Sequence, residues 1–423
     1  MEPIRRIKGT DDILPPESLL WQKLTSIIRK VMSLYNYQEI IMPVFEYSEL
    51  FARGIGTSTD IVSKEMYTLV DKGGRNVTLR PEGTASVVRA YIEHSLGSKS
   101  PVVKLYYIGP MFRQERPQKG RRRQFNQFGI EILGAPSPLA DVEGISLNLR
   151  ILSEIGIHNS KLMINSIGDS NCRGKYRSDL TGYLEKRFDR LCGDCQERYR
   201  VNALRVFDCK NESCQIELRD APLMLDYLCE GCREHFDLVK KGLEKHQIDY
   251  SINSRLVRGL DYYTRTVFEI VSSEIGSQDS LSGGGRYDLL VEELGGKSTP
   301  AFGFAAGMER MLLAWEQNSV ISSSLIKLDC FLAAPKGIHL TQAAIIAEKI
   351  RDEGISVEVD LLGRSLKSEL KEANRLNARL VIILGEDEAS RGVCLVRDMV
   401  SSVQWEEPSP RLVNSVVEYI SKI

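Results

Sequence analysis

The chain has 423 residues, 42% of them hydrophobic and 27% charged, with a formal net charge of −1 and a pI near 6.6. These proportions are those of a globular protein with room for two or three domains, and they exclude large-scale disorder and a strongly basic nucleic-acid binder, although clustered basic residues in a neutral chain can still meet a polyanion. No apolar run approaches ~20 residues and none follows the start, so neither a signal peptide nor a membrane span is expected; the compartment implied is the cytoplasm, where disulfides are rare and the nine cysteines need another reading.

Residues 1–15 read as an extended lead-in arm, with Gly9, Asp11–Asp12 and Pro15. Pro16 sits where a helix starts, and Leu20, Leu24, Ile27, Val31 and Leu34 then recur at helical steps until about Asn36. Glu39 to Glu46 reads as a strand, and Pro43 inside it argues for an edge or special position. Val102 to Ile108 is a second strand, closed by Gly109–Pro110; Met111 to Arg116 continues extended; Gln118 to Arg123 is a polar, basic loop; Gln124 to Leu133 is a third strand completing a long hairpin. Alternation along this strand puts Phe128, Ile130 and Ile132 on one face and Phe125, Gln127, Gly129 and Glu131 on the other. The second face is either a solvated surface or the lining of a cleft.

Residues 171–250 are rich in charge and in helical periodicity and read as a helical insertion. Arg255 to Ile270 returns to strand character, Leu281 to Asp288 is a glycine-rich turn, and Ala301 to Trp315 passes from a small-residue strand into a helix. A polar boundary falls at Ser319–Lys327. Beyond it, Asp329–Ala333, Ser356–Asp360 and Leu380–Leu384 read as strands alternating with helices at Leu340–Glu353 and Ser365–Leu376, which predicts an α/β domain over 327–423.

Three arginines stand out. Arg113 lies beside the polar strand face, Arg258 precedes Gly259 and two tyrosines, and Arg310 opens a helix after small residues. Each alone is an ordinary surface or salt-bridge arginine. A site that joins a carboxylate to a phosphate needs fixed cations, and arginine suits phosphate because its fork is planar and always charged. Together the segments resemble the three signature motifs of class II aminoacyl-tRNA synthetases: Ile41-Met42-Pro43 the first; Phe112-Arg113-Gln114-Glu115, the basic loop and Phe125 the second; Gly303 to Arg310 (GFAAGMER) the third. Leu256 to Arg265 (LVRGLDYYTR) resembles the signature peptide of the histidyl-tRNA synthetase family, and Thr78 to Thr84 and Ser282 to Asp288 fit the same family. The C-terminal unit resembles the anticodon-binding domain of the histidyl, prolyl, threonyl and glycyl enzymes.

That resemblance, which covers nearly the whole chain, implies an α+β catalytic domain on an antiparallel sheet over 1–325, interrupted by the insertion and followed by the α/β anticodon-binding domain. It implies activation of L-histidine by ATP to histidyl-adenylate, with magnesium held largely by the phosphates, and transfer to the 3′ end of tRNA-His by a homodimer. Arg113 and Arg258 are then the catalytic pair at the α-phosphate. Glu82, Gly83 and Thr84 hold the amino group of histidine, Gln127 its carboxylate or amino group, and Glu131 with Tyr262 and Tyr263 its imidazole. Glu115 belongs to the ATP site, Arg121 meets the γ-phosphate, and Phe125 and Arg310 sandwich the adenine. The loop Lys119–Arg123 is either a solvated turn or a contact with the tRNA acceptor end. No side chain is assigned to a catalytic metal.

The cysteines form three sequence pairs: Cys192 and Cys195, Cys209 and Cys214, Cys229 and Cys232. Two CxxC knuckles signal a structural zinc, with Cys192, Cys195, Cys229 and Cys232 as the first set and Cys209 and Cys214 as rivals. Against this, a helical insertion merely tolerates cysteine, and zinc is not general in the family. Ser282 to Arg286 (SGGGR) lacks the GxxxxGK[ST] phosphate-loop pattern; its glycines serve either a tight turn or close approach of backbone to the histidine pocket. Two other functions compete. One is the non-catalytic regulatory paralogue of ATP phosphoribosyltransferase in histidine biosynthesis, which typically lacks the anticodon-binding domain and has a degraded signature peptide. The other is a synthetase for proline or glycine, whose pocket has no need of Glu131 with Tyr262–Tyr263.

Overall fold

Eleven strands build the first part of the chain: β1 (Gln38–Glu39), β2 (Phe45–Tyr47), β3 (Tyr67–Val70), β4 (Asn76–Leu79), β5 (Val103–Phe112), β6 (Gln124–Leu133), β7 (Ser160–Ser166), β8 (Tyr250–Ile252), β9 (Thr264–Ser272), β10 (Ser280–Arg286) and β11 (Ala301–Gly307). Eight form one sheet in the order β1-β5-β6-β11-β10-β9-β7-β8, and β2, β4 and β3 form a small second sheet. The six inner strands of the large sheet are antiparallel, with β1 and β8 as short parallel edges. The computed structural model describes residues 3–57, 59–118, 120–273, 280–318, 328–337 and 339–422. It divides into two units, Met1–Val320 and Ile321–Ile423. Lys119 of the basic loop and the boundary stretch Ser319–Lys327 lie outside the described residues.

Side-chain alternation decides what the sheet can do. Phe128, Ile130 and Ile132 face a buried layer, where β6 pairs them with Ala306, Phe304 and Phe302 of β11. The helix Pro138–Glu154 covers that face, with Gly144 set against Phe302 and Ile130. On the opposite face the registered partners are small: Gly303 lies across from Glu131, Ala305 from Gly129 and Gly283, and Gly307 from Gln127. One face is therefore filled with aromatic rings and the other is floored with glycine and alanine, which leaves room above it.

Several sequence expectations change. The first helix, Glu17–Leu34, buries Leu20, Leu24, Ile28, Val31 and Met32, whereas Leu34 is exposed; a stripe continued from Leu24 through Ile28 follows the 3.6-residue period better than one through Ile27. Glu39–Glu46 is not one strand. It breaks at Met42–Pro43, whose carbonyls accept hydrogen bonds from the Arg80 guanidinium at 3.0 and 3.2 Å, and its ends join two different sheets. Gly109–Pro110 does not end β5, which runs on to Phe112. β1 pairs with β5 only at Leu105 and Tyr106, so no strand needs the missing amide of Pro110. After the short strand β8, strand structure resumes at Thr264, not Arg255, and the signature segment before it is loop. The glycine-rich segment is no turn: Gly283, Gly284 and Gly285 lie within β10.

The insertion between β7 and β8 carries helices Ser170–Glu185, Gly193–Val201, Glu212–Glu217 and Glu230–Lys245. It has its own core, including Tyr176, Leu180, Val206 and Leu218. Its cysteines do not group as the CxxC spacing suggests: Cys192 and Cys195 gather with Cys209 and Cys214, while Cys229 and Cys232 gather with Cys172 and Asp169.

The second unit holds β12 (Leu328–Ala333), β13 (Val357–Val359), β14 (Ala378–Ile383), β15 (Val393–Asp398) and β16 (Gln404–Pro408) in the order β13-β12-β14-β15-β16. β12 is parallel to β13 and β14; β15 and β16 add antiparallel strands. The sequence reading ends at Leu384; β15, β16 and the helix Leu412–Ser421 extend the expected α/β unit. Apolar layers form on both faces of the sheet, one including Leu380 and Ile382, the other Phe331 and Val381.

Gly284 tests the packing of the large sheet. A Cβ there would meet the Gly303 carbonyl oxygen, and Phe304 Cβ at 2.5 Å. Overpacking of this kind typically costs about 1–3 kcal/mol. Gly284→Ala should lower the urea midpoint accordingly; an unchanged midpoint would mean that β10 and β11 separate without cost.

Candidate active site

Four sequence segments meet above the small-residue floor, around one cleft. The β5–β6 hairpin supplies Arg113, Glu115, Arg121, Phe125 and Gln127. The turn before helix Thr84–Glu93 supplies Glu82 and Thr84, the loop before β9 supplies Arg258, Tyr262 and Tyr263, and helix Met308–Asn318 supplies Arg310. Gly83 and Glu131 are not among the lining residues. Gly83 lies against the Tyr107 ring, and Glu131, on the same sheet face as the floor and over Gly303, is fully buried.

The arginines are held by fixed acceptors. Arg113 donates Nε to the Pro81 carbonyl at 2.9 Å, and its guanidinium lies 5.3 Å from the Phe125 ring centroid. Arg310 donates to the carbonyls of Gly120 at 3.1 Å and Ser280 at 2.8 Å. Arg258 pairs with Glu269 at 3.2 Å, and Arg121 with Glu115 at 3.1 Å. Burial lowers the Arg310 pKa, and Arg121 adds to that fall. Burial also opposes the charge of Arg258, but Glu269, Tyr263 and Asp208 reverse the balance and raise its pKa. Such a cluster of fixed cations can receive a polyanion and the charge that develops when a carboxylate attacks phosphorus.

Two buried carboxylates complete the site. Glu82 accepts the backbone N–H groups of Thr84 and Ala85 at 2.6 and 2.8 Å, capping a helix start; burial raises its pKa against these bonds. Glu131 accepts from Thr84 Oγ1 at 2.7 Å and from the Tyr287 hydroxyl. The Gly303 position opposite it must lack a side chain, because a Cβ there would collide with Glu131 Oε2.

The residues that sequence reasoning missed are mostly supports. Tyr107 packs its ring into space left by two glycines; a Cβ on Gly83 would come within 2.6 Å of its Cε2, and one on Gly129 within 2.5 Å of its hydroxyl. Gly129 pairs with Tyr107 across the hairpin, so the glycine opposite an aromatic was the available signal. Tyr287 follows the glycine strand and had no assigned role. Glu269, the partner of Arg258, was hidden in an apolar strand. Glu309 was read only as part of a motif; it accepts the backbone N–H of Asn126 at 2.7 Å and fixes the end of β6 to helix Met308–Asn318.

Burial raises the Glu131 pKa well above the usual carboxylate range; hydrogen bonds from Tyr287 and Thr84 oppose the rise and Glu82 adds to it. The folded chain therefore keeps this proton to higher pH than the unfolded chain. Its contribution to stability is full below the unfolded value, about 4.3, and is lost as pH rises towards the folded value. Glu131→Gln has no proton to lose, and its amide can still accept from and donate to the two hydroxyls. Measured by urea unfolding of the ligand-free chain, the stability of Glu131→Gln relative to the parent should grow as pH is raised from about 4 to 7; a constant difference would show that Glu131 titrates normally.

Comparison with known proteins places this arrangement. A family model for histidyl-tRNA synthetase matches residues 9–172 and 182–311, and a model for the anticodon binding domain matches residues 329–421. The histidine–tRNA ligase of Halothermothrix orenii is 47% identical over 99% of this chain and 100% of its own; that of Desulforamulus reducens is 49% identical over 96% and 97%. The crystal structure of apo Staphylococcus aureus histidyl-tRNA synthetase superposes with a TM-score of 0.83 at 36% identity, covering 98% of this chain and 100% of that one. With both models matched in chain order and relatives nearly half identical from end to end, the chain belongs to the histidyl-tRNA synthetase family.

Proposed function

We propose that this protein activates L-histidine with ATP, forming histidyl-adenylate and diphosphate, and transfers the histidyl group to the 3′ end of tRNA-His. The observation that carries this reading is the meeting of Arg113, Arg258 and Arg310, from three distant segments, in one cleft with Glu82 and Tyr263. The anticodon-binding match at residues 329–421 argues against the regulatory paralogue of ATP phosphoribosyltransferase, which typically lacks that domain. No helix among the described residues is long and apolar enough to cross a membrane.

In this reading Arg113 binds the α-phosphate, and Arg258 meets the same reacting centre from the histidine side. Glu82 and Thr84, placed by the turn at Gly83, receive the amino group, and Gln127 receives the carboxylate or amino group. Tyr263 and Glu131, with Tyr262 behind them, read the two imidazole nitrogens; each Glu131 oxygen keeps a second lone pair beside the hydrogen bond it already accepts. Phe125 and Arg310 enclose the adenine, Arg121 takes the γ-phosphate, and Glu115 holds Arg121 in place. Among the described residues, no group of three or more carboxylate, histidine or cysteine ligands gathers in the cleft. In this reading a magnesium ion arrives on the phosphates of ATP. Arg121 and Arg122 of the basic loop line the cleft, where the acceptor end of tRNA would lie.

We assign the active form to a homodimer. Ile41, Phe45 and Tyr47 are 90%, 61% and 52% exposed in the single chain, an apolar run on the first-motif segment that a second copy would cover.

ATP–pyrophosphate exchange with each amino acid in turn should give a signal with histidine alone. Arg258→Ala should lower that exchange by about 100–1,000-fold with the fold intact; near-normal exchange would remove Arg258 from the reacting centre. Deletion of residues 327–423 should spare histidine activation more than tRNA charging, since the cleft residues all precede the cut. A folded deletion variant that charges tRNA normally would refute this division.

A further inference from the structure

Outside the cleft, the strongest unassigned chemistry lies in the insertion. The Sγ atoms of Cys192, Cys195, Cys209 and Cys214 all lie within 4.8 Å of one another, and so do those of Cys172, Cys229 and Cys232 with a carboxylate oxygen of Asp169. Both CxxC knuckles wrap helix starts: Cys192 caps Gly193–Val201 and Cys229 caps Glu230–Lys245. Amide groups at a helix start favour the thiolate, the form that binds metal. Backbone N–H groups already point at the sulfurs: Cys192 donates to Cys214 Sγ at 3.2 Å, Asn211 to Cys209 Sγ at 3.4 Å and Cys229 to Cys172 Sγ at 3.1 Å.

The spacing also suits an ion. Four sulfurs arranged tetrahedrally at a Zn–S distance of ~2.3 Å lie about 3.8 Å apart, and Cys192 Sγ and Cys209 Sγ are 3.7 Å apart. None of the nine cysteines is in a disulfide. The ordinary alternative is a core that happens to contain cysteine, and these thiols do pack with Tyr176, Leu180 and Val206. An apolar core gives no reason for four donors to converge twice, or for a carboxylate to complete the second set.

We propose that the insertion binds two structural metal ions, both zinc by their donor chemistry, one held by Cys192, Cys195, Cys209 and Cys214 and the other by Asp169, Cys172, Cys229 and Cys232. Thiolate-rich, four-coordinate sites select zinc and leave no open position for catalysis. The second site joins the first and last long helices of the insertion at their starts. It lies next to Arg265, whose guanidinium is 3.6 Å from Asp169 Oδ2 and whose backbone pairs with Ile167 and Gly168. The first site holds the helix that presents Arg198 and the turn that presents Arg205 to Asp60, at 3.5 and 3.1 Å. Both ions therefore brace segments next to the loop that bears Arg258 and Tyr263.

The test is elemental analysis of the full chain after gel filtration, with about two zinc ions per chain expected from two closed four-ligand sites. Cys209→Ser and Cys229→Ser should each retain about one. Should either variant fail to fold, the parent supplies the second readout: a mercurial thiol reagent should release both ions into a zinc-sensitive dye, and cobalt exchange should give thiolate charge-transfer bands with tetrahedral d–d absorption. A single zinc that survives Cys229→Ser and is lost in Cys209→Ser would overturn the Asp169 site alone. Folded, metal-free protein with freely titrating thiols would overturn both sites, and iron in place of zinc would overturn the choice of metal.

Discussion

Among the described residues, five arginines line one cleft: Arg113, Arg121, Arg122, Arg258 and Arg310. Their mutual repulsion is what the surrounding structure must offset. Two like charges ~7 Å apart at an effective dielectric of ~20 repel by about 2 kcal/mol, so a ligand-free cleft of this kind is costly until a polyanion arrives. The fold meets the cost in two ways. Backbone carbonyls of Pro81, Gly120 and Ser280 accept from Arg113 and Arg310, and Glu115 and Glu269 pair with Arg121 and Arg258. The carbonyl contacts orient a cation without cancelling its charge, and Glu115 also approaches Arg113, at the longer distance of 3.9 Å.

The second constraint is space. Gly303 and Gly285 face each other across β10 and β11, and Ala305 pairs with Gly283 and Gly129. Any larger floor would fill the cleft or push Glu131 aside. Glycine in a strand weakens the strand, and here the opposite face compensates: Phe128, Phe268, Phe302 and Phe304 are buried together, with Phe268 and Phe302 stacked at 5.9 Å. Strength on one face and vacancy on the other are two consequences of one alternation.

Much of this was legible in the sequence where period and polarity agree. The strand Gln124–Leu133 and its two faces followed from alternation alone, because a residue's face is fixed by parity once the strand is recognised. The helix–strand alternation of the second unit was equally plain as far as Leu384. Three features were not legible, each for a physical reason. Glycines mark both turns and close strand approach, so Gly283–Gly285 read as a turn until β9 and β11 were seen on either side. Met42–Pro43 looked like strand because its apolar run is continuous; the break depends on Arg80, which is distant in sequence. The cysteine groups depend on how the insertion helices fold back, and CxxC spacing says nothing of that; Cys172, a lone cysteine in sequence, completes a set that includes Cys229 and Cys232. For the cleft itself, sequence motifs named the lining arginines, while Tyr107 and Glu269 stayed hidden because supporting residues look like ordinary strand positions.

The insertion matters to the cleft for a mechanical reason. The loop that carries Arg258, Tyr262 and Tyr263 has no ladder of its own, so it depends on polar ties from both sides. From the sheet, Asn165 Nδ2 donates to the Leu256 carbonyl at 2.9 Å. From the insertion, Asn202 Nδ2 donates to Asp261 Oδ1 at 2.8 Å, and Arg173 reaches the Tyr263 carbonyl. The insertion is in turn anchored to the sheet through Asp141, which accepts from the fully buried Arg286 at 2.8 Å and lies 3.3 Å from His235 of the helix Glu230–Lys245. Loss of one partner from such a network strands a buried charge, a penalty of about 3–5 kcal/mol, so the network resists partial opening. A change that loosened the insertion would therefore reach Arg258 and Tyr263 through the loop ties before it reached Arg113 or Arg310, whose acceptors lie outside the insertion at Pro81, Gly120 and Ser280. The Arg258 and Tyr263 side of the cleft is braced by the insertion, and the Arg113 and Arg310 side by segments outside it.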